Sequence, residues 1–132
     1  MTMAKAPSPR KGEIYSLMAD VVSDAPAGKT RPCLVVQNDS ENRRRSVTIV
    51  AAITSQAASE SLPFTVRLMP RTVGTSVATF VNCGHLYTVS HGQLQGPIVE
   101  LPSDKMVEVD RAILAILGVV AAEKSGPPKD RE

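Results

Sequence analysis

Arg31 and Thr54 are the residues of this chain whose types and surroundings best suit chemistry on a phosphate. Arg31 stands beside Pro32, which fixes the local backbone, and its guanidinium is a planar fork of donors that matches phosphate oxygens. Thr54 carries a hydroxyl able to orient a phosphate or to stabilise charge on a non-bridging oxygen. Leu34-Val35-Val36 and Ile49-Val50-Ala51-Ala52-Ile53 are apolar, β-branched-rich runs of strand length, joined by a segment too polar for a core. If they pair as antiparallel neighbours, the start of the first lies beside the end of the second, and the cation and the hydroxyl share one edge of a sheet. The competing structural roles are an Arg31 paired with a carboxylate such as Asp39 and a Thr54 that only begins a turn.

A second tier of groups surrounds this pair in the sequence. Ser55 is the adjacent hydroxyl, and Glu13, at the entrance of the first strand, is a candidate general base. His85 is a further acid–base or supporting candidate, whereas His91 lies in a polar Ser-His-Gly turn and reads as exposed. Lys29, Asn82 and the run Arg43, Arg44, Arg45 are candidate nucleic-acid contacts, with Arg67 and Arg71 as extensions of the same basic surface. Cys83 and His85 form the closest pair of metal-type ligands, too few for a zinc site, and no phosphate-cradling glycine loop occurs, so neither a metal nor a nucleotide cofactor is expected.

Taken in order, several short motifs resemble the MazF/PemK family of toxin endoribonucleases from toxin–antitoxin pairs. They are Gly-Glu-Ile-Tyr at 12–15, Gly-Lys-Thr-Arg-Pro at 28–32, Val-Val-Gln-Asn-Asp at 35–39, Ile-Thr-Ser at 53–55, Phe-Val-Asn-Cys-Gly-His-Leu-Tyr-Thr-Val at 80–89 and a helix ending in Leu-Gly at 117–118. The resemblance covers 11–118. It implies catalysis by Arg31 and Thr54, a ribosome-independent and metal-independent cut in single-stranded RNA at a short sequence, a homodimer, a cognate antitoxin, contact with operator DNA only through that antitoxin, and a cytoplasmic location. It also implies a specific chemistry: the RNA's own 2′-hydroxyl attacks phosphorus and leaves a 2′,3′-cyclic phosphate and a 5′-hydroxyl. The chain departs from the pattern at Gly84, where many relatives carry an acid, at Asn82 and Tyr87, where some carry a base, and in the segment 24–28. The base is therefore open between Glu13, His85 and solvent, and a non-catalytic binding module on the same scaffold, like the related gyrase poisons, is the alternative.

The elements needed to hold such a site fit in one domain. With 132 residues the chain can bury a core without staples. Its formal charge of +2 argues neither for nor against nucleic acid. Cys33 and Cys83 sit in apolar, strand-like sequence and read as buried thiols. The longest apolar run, 112–122, is too short to span a bilayer, and no secretory signal precedes the domain. Segments 1–10 and 123–132 read as disordered arms around a domain at 11–122. Strand signals fall at 13–18, 33–37, 47–54, 64–68, 77–81, 86–89 and 97–101. A helix follows, N-capped by Ser103, with Met106, Val109, Ile113 and Leu117 on one face, Val107 and Leu114 widening it, and Gly118 either capping or interrupting it. The expected class is α+β, mainly β: a small SH3-like barrel or curled antiparallel sheet of six to seven strands with a C-terminal helix. With 3% aromatic residues, its core must be aliphatic.

Overall fold

Alternation of side chains along each strand gives the sheet two apolar faces, and the computed structural model, which describes residues 7–18, 29–74 and 76–121, shows how each is covered. The strands are β1 (Glu13–Met18), β2 (Thr30–Val35), β3 (Val47–Thr54), β4 (Thr65–Leu68), β5 (Thr79–Ser90) and β6 (Leu94–Glu100). A short helix α1 (Asp39–Arg44) joins β2 to β3, and α2 (Ser103–Ile116) follows β6. All pairings are antiparallel, in the spatial order β4-β5-β3-β2-β1-β6. The residues expected to form flanking arms lie outside the described residues at 1–6 and 123–132, as does the segment 24–28.

On one face Ile14, Leu34, Ile53, Leu68 and Val81 pack beneath Met106, Val109 and Ala112 of α2. The opposite face curls around Tyr15, Leu17, Cys33, Val35, Val50 and Val89. The sheet is curled but not closed, since β4 and β6 remain its two edges. The helix buries the apolar face that barrel closure would otherwise bury, so the closed form of the expectation does not arise. The cores are mainly aliphatic, with Tyr15 and Phe80 as buried aromatic exceptions, and both cysteines are buried free thiols. Among the described residues no helix is long and apolar enough to cross a membrane.

Strands 13–18 and 47–54 and the helix start at Ser103 coincide with the expectation, while other boundaries move for identifiable reasons. β2 begins at Thr30, because pairing with β1 extends to Met18↔Thr30. The two signals at 77–81 and 86–89 belong to one strand, β5, interrupted by a bulge: one step on β3, Ala51 to Ala52, is matched by four on β5, Leu86 to Asn82. The N-cap of α2 is Pro102, with no side-chain cap. Gly118 ends the helix rather than interrupting it: at φ 80 its N–H donates to Ala115 O (3.0 Å), and Val119 N donates to Leu114 O (2.8 Å), the Schellman arrangement. With the helix ending at Ile116, Ala112 takes the buried position and Leu117 stands exposed.

Between α1 and the two strands it joins lies a buried polar cluster. Asn42 is fully buried; its amide donates to Gln37 O (3.0 Å) and accepts from Gln37 Nε2 (2.8 Å) and Thr48 Oγ1 (2.6 Å). Gln37 Nε2 also donates to Val47 O at 3.0 Å. Every partner is satisfied, so the cluster holds the β2–β3 connection in one arrangement.

Candidate active site

The β2–β3 ladder pairs Cys33 with Ala52 and Leu34 with Ala51, and continuing this register by two residues sets Arg31 across from Thr54. Residues in one such row point to the same face of the sheet. Pro32 has no N–H to give to a ladder, and the β2–β3 pairing stops at Cys33, so Arg31 and Thr54 stand just past the last paired residues, where the strands part. Both side chains are half-buried, on the face opposite α2.

Among the described residues no carboxylate pairs with the Arg31 guanidinium, which leaves its donor fork for an external anion. The competing partner, Asp39, lies at the far end of β2, where it accepts from Lys11 N (2.7 Å). Thr54 Oγ1 accepts from Gln56 N (3.2 Å), so one lone pair is occupied and the hydroxyl proton is left to point toward an incoming oxygen. The Gln56 contact escapes sequence reading, because an exposed polar residue after a strand carries no signal of its own.

The remaining candidates divide by position. Lys29 is exposed at the Arg31 end, and Ser55 is exposed just past β3. Asn82 pairs with Ala52, two residues along the strands from the Thr54 row, on the same face; its Oδ1 accepts from Gly84 N (3.0 Å), which leaves Nδ2 to donate. His85 is exposed in the β5 bulge, about 7–10 Å along β3 from Thr54. Glu13 is not brought to the pair: its Oε1 accepts from Arg10 N and Tyr15 Oη, each at 2.8 Å, and it lies four residues, about 13 Å, from Arg31 along the sheet. Arg43 and Arg44 belong to α1 rather than a loop, and with Arg45 they sit at the opposite end of β3, about 24 Å from Thr54. There Arg44 pairs with Glu41 (3.0 Å) and Arg45 donates to Gln37 Oε1 (3.3 Å).

Cys33 shares the face and follows Arg31 by two residues, but burial pushes its thiol up to about 12, which removes it as a nucleophile. Burial, followed by the bond to Glu13, raises the Tyr15 phenol as well. Gly84, the departure noted above, is overlaid by an aromatic ring: a Cβ there would lie 3.0 Å from Phe64 Cε1 and 3.1 Å from Cδ1. A side chain at this exposed position requires the Phe64 ring to give by a few tenths of an ångström.

An open curled antiparallel sheet of six strands, crossed on one face by a C-terminal helix, defines the class of fold. The chain belongs to the PemK-like, MazF-like toxins of type II toxin–antitoxin systems, whose family model matches residues 10–117. It is 30% identical over 111 residues to endoribonuclease EndoA of Bacillus subtilis (strain 168), across 84% of this chain and 96% of that protein. The crystal structure of MazF from Deinococcus radiodurans superposes with a TM-score of 0.66 at 25% identity, over 86% of this chain and 99% of that one. The same fold is seen in an endoribonuclease in complex with its cognate antitoxin from a mycobacterial species (TM-score 0.69, 20% identity, 86% and 98% coverage).

Proposed function

We propose that this protein is an endoribonuclease toxin that cuts single-stranded RNA, mRNA included, at the phosphate held between Arg31 and Thr54. The observation that carries the reading is their register: continued two residues past the last paired position it sets a guanidinium and a hydroxyl in one row, and among the described residues neither the guanidinium nor the hydroxyl proton has a partner. The attacking group is the ribose 2′-hydroxyl next to the scissile phosphate. Its oxygen bonds to phosphorus, the bond to the 5′-oxygen breaks, and the products are a 2′,3′-cyclic phosphate and a 5′-hydroxyl. Arg31 neutralises charge on the phosphoryl oxygens, and Thr54 donates to one of them. Glu13 is engaged elsewhere, so the 2′-hydroxyl proton goes to His85 or to water, and the leaving oxygen takes a proton from the same sources.

Ser55 supports Thr54, and Lys29 and Asn82 donate to the RNA near the cut. Arg43, Arg44 and Arg45 meet only a longer RNA that continues along the sheet. The catalytic domain spans 11–122 and acts in the cytoplasm as a homodimer. A cognate antitoxin neutralises it, and operator DNA is reached only through that antitoxin.

Replacing the scissile ribose alone with deoxyribose will abolish cleavage and leave binding nearly intact. Arg31→Ala and Thr54→Ala will each slow cutting by a factor on the order of a hundred, the scale for losing a transition-state donor. EDTA will change nothing. Cleavage of the deoxy-substituted strand, or a requirement for Mg²⁺, would make water the nucleophile and overturn the assignment. One observation favours a second reading, a non-catalytic inhibitor on the toxin scaffold: the position where many relatives carry an acid is Gly84, with the Phe64 ring 3.0 Å from where a Cβ would stand. Intact RNA after prolonged incubation with pure, folded protein would select it.

A further inference from the structure

On β4, Val66 and Leu68 are buried in the core under α2, while Arg67 between them is exposed and points to the other face. Its register places it in one row with the site: Arg67 pairs with Phe80, Phe80 pairs with Thr54, and Arg31 follows across β2. Two strand spacings, about 10 Å, separate the Arg67 and Thr54 backbones, and the guanidinium extends beyond its own backbone. The row therefore runs Arg67, Phe80, Thr54 and, with the β2–β3 register continued, Arg31, so two cations lie on either side of the hydroxyl with the buried Phe80 between Arg67 and Thr54.

Arg67 is held only loosely. Its Nη1 lies 3.7 Å from Glu60 Oε2, with the two side chains 51% and 61% exposed, a surface pair of small net strength. Its carbonyl accepts from Lys105 Nζ at 3.2 Å, which secures the backbone and leaves the guanidinium to choose its anion. A backbone phosphate carries the same single charge as a carboxylate, but its two non-bridging oxygens can engage the guanidinium fork at hydrogen-bonding distance, which the 3.7 Å contact with Glu60 does not.

We infer that Arg67 is a second phosphate-binding residue, which takes the RNA backbone on the β5–β4 side of the cut and gives up Glu60 to do so. The RNA then crosses β2, β3, β5 and β4 in turn, and Glu60 is a built-in competitor that weakens non-productive binding. The inference rests on the RNA-cutting reading.

The test is binding of mixed-sequence, fully 2′-O-methylated RNA, which keeps the phosphates and lacks the nucleophile, measured against salt for the wild type, Arg67→Ala, Glu60→Gln and the double variant. Arg67→Ala will weaken binding about fivefold at low salt, the scale of one exposed ion pair. It will also reduce the slope of log affinity against log salt by about 0.7, one phosphate contact to a single strand. Glu60→Gln will strengthen binding in the wild-type background and not when Arg67 is absent. An unchanged slope in Arg67→Ala, or equal strengthening by Glu60→Gln in both backgrounds, overturns the inference. Failure of the RNA-cutting reading is seen separately, as absence of cleavage of unmodified RNA by the wild type.

Discussion

Asn42→Leu tests whether the buried polar cluster at α1 sets the β2–β3 register on which the Arg31–Thr54 pair depends. Leucine is close to asparagine in shape, so the change removes hydrogen bonds with little loss of packing. Thr48 Oγ1 loses its acceptor at a fully buried position, and Gln37 O loses its donor, while Gln37 Nε2 keeps Val47 O. Two buried groups are left unpaired at about 1–3 kcal/mol each, so the expected cost is about 2–6 kcal/mol. That is a large part of the total for a domain of this kind, about 5–15 kcal/mol. Thr48→Val alone removes one hydroxyl and leaves Asn42 Oδ1 bonded to Gln37, at a cost of about 1 kcal/mol. In the double variant the stranded Thr48 hydroxyl is gone, so its cost falls short of the sum by about 1–3 kcal/mol. Urea unfolding of all four proteins measures this, through midpoints at an unchanged m-value. A loss below about 1 kcal/mol for Asn42→Leu, or additivity within about 0.5 kcal/mol, would refute the reasoning.

Two further outcomes concern the same fold. Gly84→Ala brings a Cβ to 3.0 Å from Phe64, which will cost about 1–3 kcal/mol in thermal or urea unfolding and will cost less in a Phe64→Leu background; equal cost in both backgrounds would remove the ring as the cause. The Cys33 and Cys83 thiols, pushed by burial from 9.0 to about 12, bind protons in the folded state that the unfolded chain has released above pH 9. Their contribution is therefore full below about pH 9 and is lost between 9 and 12, at up to about 1.4 kcal/mol per pH unit for each thiol. Alkaline unfolding curves will flatten in Cys33→Ala/Cys83→Ala, and an unchanged pH dependence would count against buried neutral thiols.

Local pattern alone carried a good part of this protein. The strands at 13–18 and 47–54 and the helix start at 103 follow from β-branched runs, two-residue alternation and a proline stop, all properties of contiguous residues. The antiparallel pairing of the two strands that carry Arg31 and Thr54 was legible for the same reason: consecutive strands joined by a short connection pair antiparallel, which puts the start of one beside the end of the next. The family itself was legible in the order of the motifs. Tertiary structure decided what depends on distant segments meeting. It merged two strand signals into β5 across a bulge, because β3 supplies one continuous partner for both. It bound Glu13 to Arg10 and Tyr15, carried the three arginines to the far end of β3, laid Phe64 over Gly84 and set Arg67 in the row of Thr54. Alternation along a strand says which face a side chain takes, but the neighbour it meets there depends on register between strands remote in sequence. Long-range packing chooses that register.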